Sequence, residues 1–250
     1  MNEKSGLRAV YPSLQGKKVL VTGGGSGIGA GIVEAFAAQG AEVVFFDIAE
    51  DESRALQQRL GSHVAFRRVD LIDIAALQSA IAESGPFDVL VNNAANDDRH
   101  EVAEVTPDYW DNRVNVNLRH QFFAAQSVVE GMKAKGGGAI INLGSISWHL
   151  GLHDLVLYQT AKAAIEGLTR SLARELGPDG IRVTCVIPGN VQTPRQQRWY
   201  TPEGEAEIVA AQALKGRLVP EDVAAMVLFL ASDDARLVTG HNYWVDAGWR

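Results

Sequence analysis

The sequence predicts an α/β protein: a single doubly wound parallel sheet of about seven strands with helices on both faces. Three observations predict it. Short β-branched runs alternate with amphipathic stretches along nearly the whole chain, the pattern of repeated βαβ units. A glycine-rich turn, Gly23 to Gly29, joins the first run directly to the first amphipathic stretch. The 250 residues, 46% hydrophobic and 21% charged, suffice for one large core. That core must hold by packing, because the one cysteine, Cys185, cannot close an intrachain disulfide.

The elements follow in order. Lys18 to Thr22 is the first strand, and Gly29 to Gln39, with apolar residues at three- and four-residue spacing, is the first helix. Glu42 to Asp47 and Val64 to Val69 are strands that flank a helix at Asp51 to Leu60. A helix at Asp73 to Ala82 precedes the strand Phe87 to Asn92. One long helix is expected from Pro107 to Lys133, with Lys135 to Gly138 as a glycine turn into the strand Ala139 to Leu143. Tyr158 to Leu176 reads as a helix, Ile181 to Ile187 as a strand, Pro220 to Leu230 as a helix and Tyr243 to Val245 as the last strand. Neither a repeat nor a low-complexity linker interrupts the series, so residues 1–250 are expected to form one domain, with 1–15 as an N-terminal extension. In such a sheet ligands bind beyond the carboxyl ends of the strands, so the chemistry should follow each strand.

Lys plus Arg number 23 against 30 Asp plus Glu, a net charge of −7, and no basic stripe is present to answer a phosphate backbone. Nucleic acid is therefore not an expected partner. No apolar stretch reaches the roughly 20 residues that span a bilayer, and Met1 to Gly16 lacks an apolar leader core. The expected location is cytoplasmic, with no membrane partner.

The turn Thr22-Gly23-Gly24-Gly25-Ser26-Gly27-Ile28-Gly29 lies between strand and helix, where glycine lets backbone N–H groups approach a pyrophosphate and the helix N-terminus adds partial positive charge. This is the Rossmann-type arrangement, although a second register, Gly25, Gly27 and Ala30, also satisfies the general pattern. Asp47 ends the second strand, 24 residues after Gly23, where a carboxylate can accept hydrogen bonds from both ribose hydroxyls and would repel a 2′-phosphate. No arginine adjoins the glycine turn, and Arg54 is already in the next helix, so NAD is expected over NADP. Asp70, before Leu71, could accept from an adenine amino group or simply cap a turn.

Tyr158 and Lys162 stand four residues apart, hence on one helix face. A free phenol titrates at about 10, and to act as a base at pH of about 7 to 8 it must be made more acidic, on the order of 3 to 4 kcal/mol. A neighbouring ammonium pushes that way. Ser145, 13 residues before Tyr158, lies just beyond the strand Ala139 to Leu143, with Ser147 as the rival hydroxyl. Asn117 falls inside the long helix at a place where propensity disfavours asparagine, which suggests a local carbonyl or water contact, or a buried amide satisfied by backbone.

Thr22-Gly23…Gly27-Ile28-Gly29, Asn92-Asn93-Ala94, Asn117, Ser145, Tyr158…Lys162 and Pro188-Gly189 with Thr193 resemble the short-chain dehydrogenase/reductase family, in order from about Lys17 to Gly248. The resemblance implies that Tyr158 is the general base, that Lys162 holds the nicotinamide ribose and lowers the phenol's pKa, that Ser145 bonds the reacting oxygen, and that Asn117 anchors a relay water. It also implies that Asn93 supports the central turn and that Val191 and Thr193 touch the nicotinamide amide. One departure is Ala95, where the family usually has glycine, followed by the polar run Asn96 to His100.

Asn96 to His100, Gly144 to Leu152, Arg195 to Pro202 and the ending Gly240 to Arg250 are similar to the bacterial NAD-dependent aldose 1-dehydrogenases. That resemblance implies oxidation of a cyclic sugar at C1 to its lactone, with D-xylose favoured and L-arabinose or D-galactose next. Independently, Asn96, Asp97, Ser147, Trp148, His149, Asp154, Asn190 and Trp199 offer hydrogen bonds and aromatic faces suited to a polyol. Residues 190–216 read as a substrate lid, helical from Thr201 to Lys215. His149 and His153 stand four apart across Gly151 without a third ligand, so no metal is expected. The competing readings are a carbonyl or 3-oxoacyl reductase of the same family and a non-catalytic NAD-binding regulator. A homotetramer is implied by resemblance, with Trp110, Phe122, Phe123 and Trp249-Arg250 as groups a neighbour could cover.

Overall fold

Seven parallel strands form one sheet, in the order β3-β2-β1-β4-β5-β6-β7, in the computed structural model, which describes residues 9–197 and 200–249. The strands are β1 (Lys18–Thr22), β2 (Glu42–Asp47), β3 (Val64–Arg68), β4 (Val89–Asn92), β5 (Gly138–Leu143), β6 (Ile181–Pro188) and β7 (Asn242–Val245). The helices are α1 (Gly27–Ala38), α2 (Glu50–Leu60), α3 (Ile74–Ser84), α4 (Pro107–Val114), α5 (His120–Ala134), α6 (Ser147–Leu150), α7 (Val156–Leu176), α8 (Pro194–Gln197), α9 (Pro202–Ala211) and α10 (Pro220–Ala231). The order of strands reverses between β1 and β4, the switch point where a crevice opens at the carboxyl edge.

Central strands buried on both faces read as continuous apolar runs, and here they feed two cores. Val19, Val21 and Val91 point to the face covered by Ile32, Val33 and Phe36 of α1 and Val223, Val227 and Leu230 of α10. Leu20, Leu90 and Ile140 point to the other, against Leu77 and Ile81 of α3, Ala124 and Val128 of α5 and Ala173 of α7. Register is level across the sheet: Thr22 lies beside Asn92, Asn92 beside Asn142, Asn142 beside Cys185, and Cys185 beside Asn242. β1 and β4 end at this row, β2, β3 and β5 run one residue beyond it, and β6 and β7 run on to the Pro188–Val245 pair, so the carboxyl edge is stepped and opens above β1 and β4.

Three local expectations need correction. The helix expected from Pro107 to Lys133 is interrupted by a π-helical turn at Asn115–Arg119. Asn117, fully buried, donates its amide to the carbonyls of Arg113 (2.9 Å) and Asn96 (3.0 Å) and accepts from the Asn96 N–H (2.8 Å). Backbone partners thus satisfy this amide where the helix widens. Ser147, expected one strand-like alternation beyond Ser145, instead opens the short helix α6. The helix expected from Thr201 to Lys215 is shorter, because Lys215 folds back and its Nζ donates to the carbonyls of Val209 (3.3 Å) and Ala210 (2.9 Å) at the end of α9. No described helix is long and apolar enough to cross a membrane.

Candidate active site

A cavity of about 510 Å³ runs along the carboxyl edge of the sheet, from the glycine turn to the start of α7. At its first end the backbone of β1 passes into α1 through Gly23 (φ 66°) and Gly27 (φ 54°), left-handed positions that glycine occupies without strain. A Cβ on Gly29 would stand 1.9 Å from the Gly23 carbonyl, so the turn can close this tightly only with glycine there. Asn93, after β4, donates its amide to the carbonyls of Thr22 (3.0 Å) and Gly23 (2.8 Å). The Thr22 hydroxyl in turn accepts from the N–H of Asn93 (3.1 Å) and Ala94 (3.2 Å). Side chains at two strand ends thus tie the first turn to the fourth, and Thr22 is a brace that the sequence reading did not single out.

Asp47 lines the same end, and its carboxylate accepts from the N–H of Gly25 (2.8 Å) and Ala49 (2.9 Å). Arg54 is paired with Glu50 at 2.7 Å and Arg68 with the same carboxylate at 3.8 Å. Asp70 and Leu71 also line the cavity, and the Asp70 carboxylate accepts from the Ile72 N–H at 3.0 Å, the turn cap that was one of its two readings. Ser26, Gly27, Ile28, Pro188, Gly189, Val191 and Thr193 complete this half of the lining.

The other half gathers the reactive groups. Ser145 donates its hydroxyl to Ser147 Oγ at 2.9 Å and accepts from the Ser147 N–H at 3.1 Å, so the two rival hydroxyls form one pair. Tyr158 stands in the first turn of α7 and is hydrogen-bonded to Ser145. Lys162, one turn on and 2% exposed, donates to the Leu143 carbonyl at 2.7 Å and lies 5.5 Å from the centre of the Tyr158 ring. Burial pushes the Lys162 ammonium down to about 8, with Cys185 and Asp97 opposing. Burial also pushes the Tyr158 phenol above its ordinary value, and the Asp97 carboxylate adds to that. The Ser145 hydrogen bond and the charge of Arg195 pull the other way. Loss of solvation therefore outweighs the acidifying effects of Ser145 and Arg195.

The polar loop after β4 meets α8 here. Arg195 on α8 bonds Asn96 Oδ1 (2.9 Å) and the carboxylates of Asp97 (2.9 Å) and Asp98 (3.2 Å), and Gln196 donates to Asp97 at 2.9 Å. Asn96, Asp97, Ser147, Asn190, Arg195 and Gln196 all line the cavity.

Trp148, His149 and Asp154, expected at the substrate, are not among the lining residues. The turn of α6 aims Trp148 and His149 at α7, where the indole N–H donates to Glu166 Oε1 at 2.7 Å and His149 Nε2 lies 2.9 Å from the same oxygen. His149 is packed between Trp148 (3.6 Å between ring centres) and Trp244 (4.3 Å). Asp154 is exposed, with its backbone at φ 61° and its carbonyl accepting from the His100 N–H at 2.9 Å. Trp199 lies outside the described residues. Asn117 does not line the cavity either, but it is hydrogen-bonded to Asn96, which does.

Comparison with known proteins agrees with this arrangement. The family model described as "Enoyl-(Acyl carrier protein) reductase" matches residues 23–250. A D-xylose 1-dehydrogenase of Caulobacter vibrioides is 68% identical over 245 residues, covering 97% of this chain and 99% of that protein. The protein named "Probable galactose dehydrogenase GalD" in Rhizobium meliloti is 46% identical over 247 residues, covering 95% and 96%. A solved structure titled "short chain dehydrogenase/reductase family protein" superposes with a TM-score of 0.88 at 33% identity, covering 94% of this chain and 98% of that one. With matches of this length on a glycine cradle, a switch-point crevice and a Ser–Tyr–Lys cluster, the chain belongs to the short-chain dehydrogenase/reductase family.

Proposed function

We propose that this protein is an aldose 1-dehydrogenase: it oxidises a cyclic aldose at C1 to the lactone with NAD, with D-xylose preferred and L-arabinose or D-galactose next. The observation that carries the reading is the meeting of Ser145, Tyr158 and Lys162 in a cavity whose lining also holds the amides and charged groups of Asn96, Asp97, Asn190, Arg195 and Gln196. The relatives named for D-xylose and galactose oxidation support the substrate class.

Gly23, Ser26, Gly27, Ile28 and Gly29 fit a pyrophosphate, since the turn that carries them lines the cavity at the N-terminus of α1 and three of the five bring no Cβ there. Asp47 would take the adenosine ribose, Asp70 and Leu71 the adenine, and Asn93, Pro188, Gly189, Val191 and Thr193 the nicotinamide half. Asp47 is a carboxylate and the nearby Arg54 and Arg68 are both held by Glu50, which favours NAD over its 2′-phosphorylated form. The bound dinucleotide supplies a hydride acceptor and a positive charge beside the phenol.

Tyr158 Oη, as phenolate, takes the proton from the C1 hydroxyl while Ser145 Oγ orients that oxygen. The C1 hydrogen would then leave with its bonding pair, as hydride, to the acceptor that the dinucleotide supplies, while an oxygen pair forms the C1–O double bond. Lys162 has N–H donors beyond the one given to Leu143, and these would hold the nicotinamide ribose and conduct the proton away from Tyr158. Asn117 acts as a positioning residue, because both ends of its amide fix backbone at Asn96 and Arg113.

Initial rates of NADH formation with NAD and NADP against D-xylose, L-arabinose, D-galactose, D-glucose and L-fucose test this, with NAD and D-xylose expected to give the largest kcat/KM. Dinucleotide binding with no NADH formed from any aldose would sink it, and turnover of a 3-oxoacyl thioester with NADPH would install the reductase reading. We further propose a cytoplasmic homotetramer, with Trp110 (46% exposed) and Phe122 (40% exposed) on α4 and α5 covered by a neighbour. Light scattering should give the mass of four chains, and the mass of one would end that idea.

A further inference from the structure

The chain turns back on itself after β7. Asp246, 5% exposed, accepts from the Gly248 N–H at 3.0 Å, and its carbonyl accepts from the Trp249 N–H at 3.2 Å. Ala247 (φ 54°) and Gly248 (φ 76°) are consecutively left-handed. An alanine in that region costs about 1 to 2 kcal/mol and persists only where its surroundings hold it. Here they do. A Cβ on Gly189 would meet Asp246 Cα at 2.8 Å, a Cβ on Gly248 would meet Ala213 Cβ at 2.8 Å, and the Leu214 N–H donates to the Ala247 carbonyl at 3.0 Å.

This hook delivers Trp249 to the cavity that holds Ser145 and Tyr158. The indole packs against a small cluster that includes Ile146, the residue after Ser145, and Ile187 at the end of β6. Tyr158 and Trp249 are the two aromatic side chains among the described residues that line the cavity, and Tyr158 is committed to the proton. A cyclic aldose has a rim of hydroxyls and a face of C–H groups, and a flat apolar ring complements that face. The amides and carboxylates of the lining can satisfy the rim, and beside the branched aliphatic side chains of Leu150, Leu152 and Leu155 the indole of Trp249 is the flat ring left for the face.

We propose that Trp249 is a substrate-recognition residue on which the C–H face of the sugar ring packs, and that the strained hook at Asp246–Gly248 exists to place it. The proposal rests on the aldose reading. Trp249→Ala should raise the KM for D-xylose about tenfold, the loss of one aromatic face, with kcat and dinucleotide affinity unchanged. Trp249→Phe should restore the KM, whereas Trp249→Leu should restore packing only. The Phe and Leu pair decides the matter should the alanine variant fold poorly. Equal sugar KM in wild type, Phe and Leu variants overturns the proposal alone, as does a Leu variant that recovers KM in step with Tm. A wild-type enzyme that oxidises no aldose overturns the functional reading instead.

Discussion

At the residue scale the chemistry turns on two titratable groups that burial moves in opposite directions. The phenol of Tyr158 is pushed up and the ammonium of Lys162 down to about 8, each away from its charged form. Oxidation needs the phenolate, so the rate should climb with pH. The Ser145 side chain at that oxygen lowers its pKa; Ser145→Ala should therefore displace the rise in kcat/KM toward higher pH as well as lower it, and an unmoved profile would exclude this role. Tyr158→Phe should cut kcat by about 10²- to 10⁴-fold, the usual contribution of a positioned base, with dinucleotide affinity retained in a binding titration. Ser145, Tyr158 and Lys162 could be read from spacing because each follows a strand end or shares a helix face. Trp148 and His149 could not, since adjacency to Ser145 does not say which way a four-residue helix aims its side chains. Trp249 carries no spacing signal at all: its place depends on two left-handed residues and a contact with Ala213.

Among the elements, the strand–turn–helix unit at β1 and α1 was the clearest in the sequence, because only glycine tolerates both the left-handed backbone and the close approaches found there. Gly29→Ala puts a methyl 1.9 Å from the Gly23 carbonyl and 2.6 Å from Asn93 Nδ2. The backbone must give way, at about 1 to 3 kcal/mol. Thermal unfolding should show a Tm several degrees lower, and dinucleotide affinity should fall with it; an unchanged Kd would mean that the cradle is not the pyrophosphate site. The break between α4 and α5 was hidden for a different reason. Apolar periodicity continues across it, and only the mid-helix asparagine hinted at the π turn that Asn117 brings to Asn96. Helix ends were blurred similarly, as where the Lys215 ammonium caps α9 from beyond it.

For the molecule as a whole, βαβ alternation made the sheet and its seven strands readable, since buried parallel strands leave long apolar runs. Acid stability depends on a group the sequence left unmarked. His120, fully buried with its Nε2 3.2 Å from the Ala94 carbonyl, is pushed by burial from 6.5 down to about 4. The unfolded chain therefore binds a proton that the folded chain refuses, and stability is lost as pH falls from 6.5 toward 4. The loss from this group is about 3 kcal/mol. Urea midpoints across that range should fall more steeply for wild type than for His120→Gln, and parallel curves would remove His120 from the account.

The carboxyl edge of the sheet also divides the molecule into a working rim and a spare one. The connections that leave Thr22, Asn92, Leu143 and Pro188 line the cavity, so lengthening one of them displaces a reactive group. The connections entering the strands bear no such duty: Gly61 before β3 and Gly136 before β5 are exposed, with open space where a side chain would go. A short epitope tag grafted at either glycine should leave turnover intact, while the same graft after Ser145 or Asn93 should abolish it.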